Sequence, residues 1–297
     1  MTAISTLNYQ EVHHIQDSEK LVIDDLHHYD LLLQIGQRDV QACIIDSRDS
    51  RCLLLDDFIL QESATEEDHV EKIRQLIEAH HLLPAGFWKR IKVAFKTNTF
   101  ALVPSKFFIP DQAQNYLSLV APVDHQKNLT FSAACMANQE VINVFSASQL
   151  LVDFLRNQYP LKELEFYHQG NAVINGIFEG SEDQQDQFHL FVDRFYLHIV
   201  YVNNRKLKFY NQFPIKSFDD YGQYAYMVMQ EQELNRQDTE VQIHGFISAN
   251  SAHFEKLKQI FPKLIAGKRP KNLFYPFYFD ELAENAYFDI LSMSLCK

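Results

Sequence analysis

Phe188-His189-Leu190-Phe191-Val192-Asp193-Arg194-Phe195-Tyr196-Leu197-His198-Ile199-Val200-Tyr201-Val202-Asn203-Asn204-Arg205-Lys206-Leu207-Lys208-Phe209-Tyr210-Asn211-Gln212-Phe213 decides the fold. Residues 188–193 and 196–202 are short apolar runs of strand length. Asn203-Asn204 suits a two-residue hairpin turn, because Asn tolerates positive φ. Over 207–213, Leu207, Phe209 and Phe213 alternate with Lys206, Lys208 and Gln212, the period of a strand with one wet face. The stretch therefore predicts a three-strand meander. Ser217 and Asp220 then have the spacing of a helix cap, and Phe218, Tyr221, Ala225 and Val228 form a helical stripe. A strand over 241–247 and a helix from Ser251, stopped at Pro262, complete the pattern.

The first half has the same order. Residues 31–35, 40–45 and 52–60 read as strands, with turns at Gly36-Gln37 and at 46–50. Their near-continuous apolar character predicts a sheet covered on both faces. Thr65 with Asp68 is a second capping pair, followed by the stripe Val70, Ile73, Leu76 and Ile77, with Pro84 and Gly86 as the stop. Strands follow at 91–96 and 100–103. Residues 129–134 and 140–145 read as a strand pair, and Leu150, Leu151, Phe154 and Leu155 as a helix. The first 28 residues read as an irregular lead-in or an edge strand. Strand–strand–strand–helix–strand thus occurs twice, offset by about 155 residues, a pattern that points to duplication. The expected fold class is α/β, in two domains: 1–160 with the lead-in, and 161–297.

Composition narrows the function. The chain of 297 residues is 46% hydrophobic and 22% charged, as in a globular protein. A net charge of -12 disfavours nucleic acid and anionic membranes as partners. The N-terminus lacks a signal-peptide pattern and no run is long enough to span a membrane, so a cytoplasmic location with reduced thiols is expected. Cys43 and Cys52 lie in expected strands and read as small core residues. With only 8 Gly, the chain has few places where backbone can close on a phosphate.

Phe191 to Val200, the turn and strand from Asn203 to Phe209, and Pro214-Ile215 before a helix together resemble the second lobe of the actin-like ATPase fold, a duplicated ribonuclease H-like architecture. In layout they are similar to the cytoplasmic actin-like proteins of type IV pilus assembly. Leu164-Glu165-Phe166 through Asn171-Ala172 resembles the element before that lobe. The chain from Tyr29 to Phe279 is similar to an uncharacterised bacterial family of unknown function (DUF3822) that shares this fold.

The resemblance implies a nucleotide cleft. Two hairpin turns would hold the phosphates, each with an Asp followed by Gly and a hydroxyl residue, and a Gly-rich turn would hold the adenosine. On this sequence the cleft maps to Gly36, Gln37 and Arg38, to Asp193 and Arg194, and to Gly245. The pattern is broken at each turn. Gln34 stands for the first Asp and Gln37 for the first hydroxyl residue. Asp193 is kept, but Phe195 and Tyr196 replace Gly and the second hydroxyl. The adenosine turn, His244-Gly245-Phe246-Ile247-Ser248, has one Gly. A neutral Gln is a poor substitute for a carboxylate toward magnesium. Each lost electrostatic contact costs roughly 100- to 1,000-fold in rate. The expectation is a degenerate ATPase without catalytic residues or cofactor, acting as a scaffold for a protein partner. The alternative is a weak ATPase that binds ATP with magnesium through Gly36, Arg38, Asp193 and Arg194.

Other clusters carry less. His13-His14, His27-His28 and His80-His81 cannot chelate one ion as adjacent pairs, so polar surface is expected and a metal would need tertiary assembly. Asp24-Asp25 and Asp56-Asp57 flank strands and are expected to be solvated; Asp219-Asp220 suits a first helical turn. No Walker-type, dinucleotide or Gly-x-Ser-x-Gly pattern is present. The aromatic segment from Leu273 to Phe288 is expected to form a strand and helix sealing the second lobe, with an exposed partner patch as the alternative.

Overall fold

A computed structural model describes residues 8–135, 140–180 and 186–297. Two compact units emerge from the contacts. The first gathers residues up to 134, 140–169 and 273–279; the second gathers 170–272 and 280–297, together with Cys135.

In the first unit, β1 (Tyr9–Gln16), β2 (Tyr29–Ile35), β3 (Asp39–Asp46), β4 (Arg51–Leu60), β5 (Arg90–Phe95) and β9 (Leu164–His168) form one sheet in the order β1-β4-β3-β2-β5-β9. β1 to β4, β4 to β3 and β3 to β2 pair antiparallel, while β5 pairs parallel with β2 and β9. The lead-in therefore contains an edge strand. β2 and β3 are buried at every residue, as their near-continuous apolar runs predict. Helices α1 (Glu66–Ala79) and α3 (Gln149–Gln158) pack Val70, Ile73, Leu76, Ile77, Leu151 and Leu155 into a core with Leu31, Leu33, Val93 and Trp88. Thr65 caps α1 by accepting from the Asp68 amide. The helix ends at Ala79, ahead of Pro84, where His80 turns extended. Strands β6 (Phe100–Pro104), β7 (Asn128–Cys135) and β8 (Val141–Ser148) make a small sheet ordered β6-β8-β7, which packs on α2 (Ala113–Ser118) through Leu117.

In the second unit, β10 (Gln187–Val192), β11 (Tyr196–Asn203), β12 (Lys206–Pro214), β13 (Val241–Gly245) and β14 (Leu264–Ala266) form a sheet in the order β12-β11-β10-β13-β14. Helices α5 (Asp219–Glu231) and α6 (Ala252–Ile260) cover it through Ala225, Val228, Met229, Phe254 and Leu257. α4 (Gln169–Gly180) is buried, and its Asn171 and Asn175 amides donate to the Cys135 and Cys296 sulfurs at 3.5 Å. The order β2-β3-β4-α1-β5 in one unit matches β10-β11-β12-α5-β13 in the other. Among the described residues no helix is long and apolar enough to cross a membrane.

Several local expectations are corrected. The β11–β12 turn is shifted by one residue: Asn204 and Arg205 carry the positive φ, while Asn203 pairs with Lys206. Ser217 does not cap α5, whose N-cap is Phe218; instead the Asp220 carboxylate accepts from the Lys216 and Ser217 amides. Asp56 and Asp57 are fully buried, not solvated. His80 is also off the surface, tied to Asp56 at 2.8 Å. The aromatic segment does not seal the second lobe as one piece. Residues 273–279 join the first unit, where the Phe274 carbonyl accepts from the Cys52 amide and Arg51 stacks on the Phe274 ring. Tyr287 and Phe288, at the start of α7 (Phe288–Ser292), are buried in the second unit. The reason is one of reach: a periodicity argument sees an aromatic run but not which sheet it crosses.

β13 stops at Gly245, two residues short of the expected end. Gly245 has φ +91, and a Cβ there would strike the Val192 carbonyl. Gly245→Ala is expected to destabilise the chain by about 1–3 kcal/mol, read as a lower urea midpoint. Burial also holds three histidines neutral: His168 is pushed down to about 4 and His189 to about 3, and His244 lies well below its usual value. Unfolded histidines titrate near 6.5, so the unfolded chain binds more protons below that pH. Stability should therefore fall as pH drops from about 6.5 toward 4, by up to about 1.4 kcal/mol per unit per histidine. Urea titrations from pH 7.5 to 4 should show this slope, and His189→Gln should flatten it.

Candidate functional site

The first turn joins β2 to β3. Gln34 ends up fully buried, opposite Gln41 on β3. A neutral amide is tolerable there, whereas an unpaired carboxylate would be costly. Gly36 donates its amide to the Asp39 carbonyl at 2.8 Å, and its carbonyl accepts from His69 Nε2 of α1 at 2.9 Å. Burial keeps the His69 imidazole below its usual range, consistent with a neutral donor. The space where a Gly36 side chain would stand is filled by the Asp39 carboxylate and the Lys96 methylenes. Lys96 Nζ and Asp39 Oδ2 form an ion pair at 2.5 Å, with side-chain exposures of 5% and 1%. Gln37 and Arg38 are exposed, and the Arg38 carbonyl accepts from the Leu60 amide.

The second turn joins β10 to β11. Asp193 is buried; its amide donates to the Tyr196 carbonyl at 2.9 Å, and its Oδ1 accepts from the Arg194 amide at 2.7 Å. The third turn follows β13. Gly245 donates to the Asn285 carbonyl at 2.7 Å and Phe246 to the Val192 carbonyl at 2.8 Å, while Asn285 Nδ2 donates to the Ile247 carbonyl at 2.6 Å. The Arg194 guanidinium lies over the Phe246 ring at 4.3 Å. The second unit thus brings Asp193, Arg194 and Gly245 together, with Phe195 and Tyr196 half-buried beside them. Gly36, Gln37 and Arg38 share the β2–β3 turn of the first unit.

Sequence reasoning missed Asp39, Lys96, His69 and Asn285. Lys96 had a visible signal, as a cation at the end of an apolar strand. Asp39 had one as well, since it opens a strand whose other residues are mostly apolar. Asn285 and His69 come from distant positions and leave no local trace. Chemically, the named turn amides are spent on internal carbonyls and carboxylates, and the only carboxylate at the first turn is neutralised by a lysine of the same unit. Those bonds close the turns.

The comparisons with known proteins fit the architecture. The chain aligns in three dimensions with a Bacteroides thetaiotaomicron protein that has an actin-like ATPase fold and unknown function. The TM-score is 0.78 at 15% identity, covering 93% of this chain and 99% of the other. It also aligns with the PilM-PilN type IV pilus biogenesis complex at a TM-score of 0.59 and 12% identity, covering 90% of this chain and 97% of that one. No curated protein matches the sequence. At such identities the likeness establishes the fold, which is the actin-like ATPase fold. The DUF3822 family, a protein family of unknown function, matches residues 18–264, and the chain belongs to it.

Proposed function

We propose that this protein is a non-catalytic member of the actin-like ATPase fold that serves as a scaffold for another protein. The observation that carries the reading is the state of the turns. Phosphate binding in a backbone cradle needs free amides and glycine-sized openings. Here the Gly36 amide is committed to Asp39, the Arg194 amide to Asp193 and the Gly245 amide to Asn285. The opening at Gly36 is filled by the Asp39–Lys96 pair. A magnesium ion would have to compete with Lys96 for the Asp39 carboxylate. A fold retained without these parts is suited to docking. The likeness to a protein of a pilus biogenesis complex supports a protein as the partner.

Magnesium-ATP at millimolar concentration is expected to leave the melting temperature unchanged. A ligand present at 100 times its dissociation constant would add about 2.7 kcal/mol and shift it clearly, which would defeat the reading. Affinity capture from native cytosol, with the partner then reconstituted from purified chains, tests the scaffold role. Persistence of that complex without nucleotide is the expected outcome. The filled turn has its own test. Asp39→Ala leaves the Lys96 ammonium without its carboxylate in a buried setting and should cost about 3–5 kcal/mol in urea unfolding. Asp39→Ala with Lys96→Met should recover most of that loss.

A further inference from the structure

Apart from the turns, one cluster in the first unit is built like a binding site. The Asp56 carboxylate on β4 has no exposed surface. It is held between two imidazoles: His14 Nδ1 of β1 at 2.6 Å from Oδ1, and His80 Nε2 at 2.8 Å from Oδ2. His80 Nδ1 accepts the Leu82 and Leu83 amides at 3.1 Å, so the neutral ring must donate from Nε2 to Asp56. Both nitrogens of His80 are used. His14 spends its Nδ1 proton on the same carboxylate, which leaves Nε2 as an acceptor in the neutral ring.

His14 lines a cavity of about 310 Å³ with Tyr9, Glu11, Phe58, His80 and His81. One water takes about 30 Å³, so the space admits an organic group. Its walls are rings in edge and stacked contact: Tyr9–Phe58 at 5.8 Å, Phe58–His80 at 6.3 Å and His80–His81 at 4.7 Å. The polar additions are the Glu11 carboxylate and the His14 and His81 imidazoles. Burial is the largest of the effects that hold His81 below its usual value. No lysine or arginine lines the cavity. A wall of acceptors, one carboxylate and π faces is complementary to a cation that donates hydrogen bonds. Among the described residues no three His, Cys, Asp or Glu side chains are grouped to hold a metal ion, which favours an organic cation.

We propose that this cavity binds an alkylammonium group, with the charge between Glu11 and His14 Nε2 and the carbon chain against the Tyr9 and Phe58 rings. Asp56 and His80 are positioning residues that fix the His14 ring and its tautomer. The inference is independent of the state of the nucleotide turns. The group can come from a free diamine or from a lysine side chain, and the probes separate the two.

Calorimetric titration of the full chain with cadaverine, with Nα-acetyl-lysine amide and with neutral 1-pentanol tests it. Saturable binding of at least one amine, and none of 1-pentanol, is expected. A site built for free diamines prefers cadaverine; one built for a lysine side chain prefers the lysine amide. Glu11→Gln and His14→Phe should each weaken binding about 10-fold or more, the loss of a charge-assisted hydrogen bond. Glu11 is exposed, and in His14→Phe the Asp56 carboxylate keeps His80 as a partner, so circular dichroism should report an intact fold. His81→Phe, at a second exposed position, keeps the ring wall and should weaken binding less than His14→Phe. Absence of saturable amine binding, equal binding of 1-pentanol, or affinity unchanged in both Glu11→Gln and His14→Phe would overturn the proposal.

Discussion

The first meander is buried on both faces, and the rest of the first unit is arranged around that constraint. β2 and β3 have no exposed residue, and β4 is buried except near its ends. The carboxylates on these strands therefore gain from close partners, because an unpaired buried polar group costs on the order of 1–3 kcal/mol. Asp39 takes Lys96, Asp46 takes Arg48, Asp30 takes Arg90, and Asp56 takes two histidines. These pairs draw in β5, the β3–β4 turn, the edge strand β1 and the residues after α1. The sheet order is thus locked by charge as well as by apolar packing.

The same constraint bears on chemistry. An actin-like site needs polar groups at the turns that remain unsatisfied until the ligand arrives. In this chain the Gly36, Arg194 and Gly245 amides and the Asp39 carboxylate have partners from within the chain. Gln34 is neutral where a carboxylate would otherwise need a counter-ion, and Arg194 rests on the Phe246 ring. A fold is set by its layers and strand order; a reaction is set by a handful of uncommitted groups placed on it. The architecture and the groups at the turns are therefore separate matters.

Much of the fold was legible because its signals are local. Asn-rich and Gly-containing turns, apolar runs of strand length and two helical stripes placed both meanders, α1 and α5, and Ser251 with Pro262 bounded α6. Boundaries were less so. The β11–β12 turn slipped by one residue, because Asn203 and Asn204 both suit a turn and only the cross-strand register chooses between them. Thr65 capped α1 as its spacing implied, but Ser217 did not cap α5, where the Asp220 carboxylate took the exposed amides instead. Of the site, Gly36, Asp193, Arg194 and Gly245 could be read from the turns that carry them, whereas their partners could not.

The sequence by itself determined the element order, the two meanders and the departures at the turns, since each depends on residues within a few positions of one another. Only the tertiary structure decided that Asp56 is buried between His14 and His80, that Lys96 closes on Asp39, and that residues 273–279 cross onto the first unit. Burial and charge pairing join residues separated by 24 to 57 positions in the two ion-paired clusters. Their energies depend on the distance between groups in space and on how much water is excluded, and neither is written in the local order of side chains.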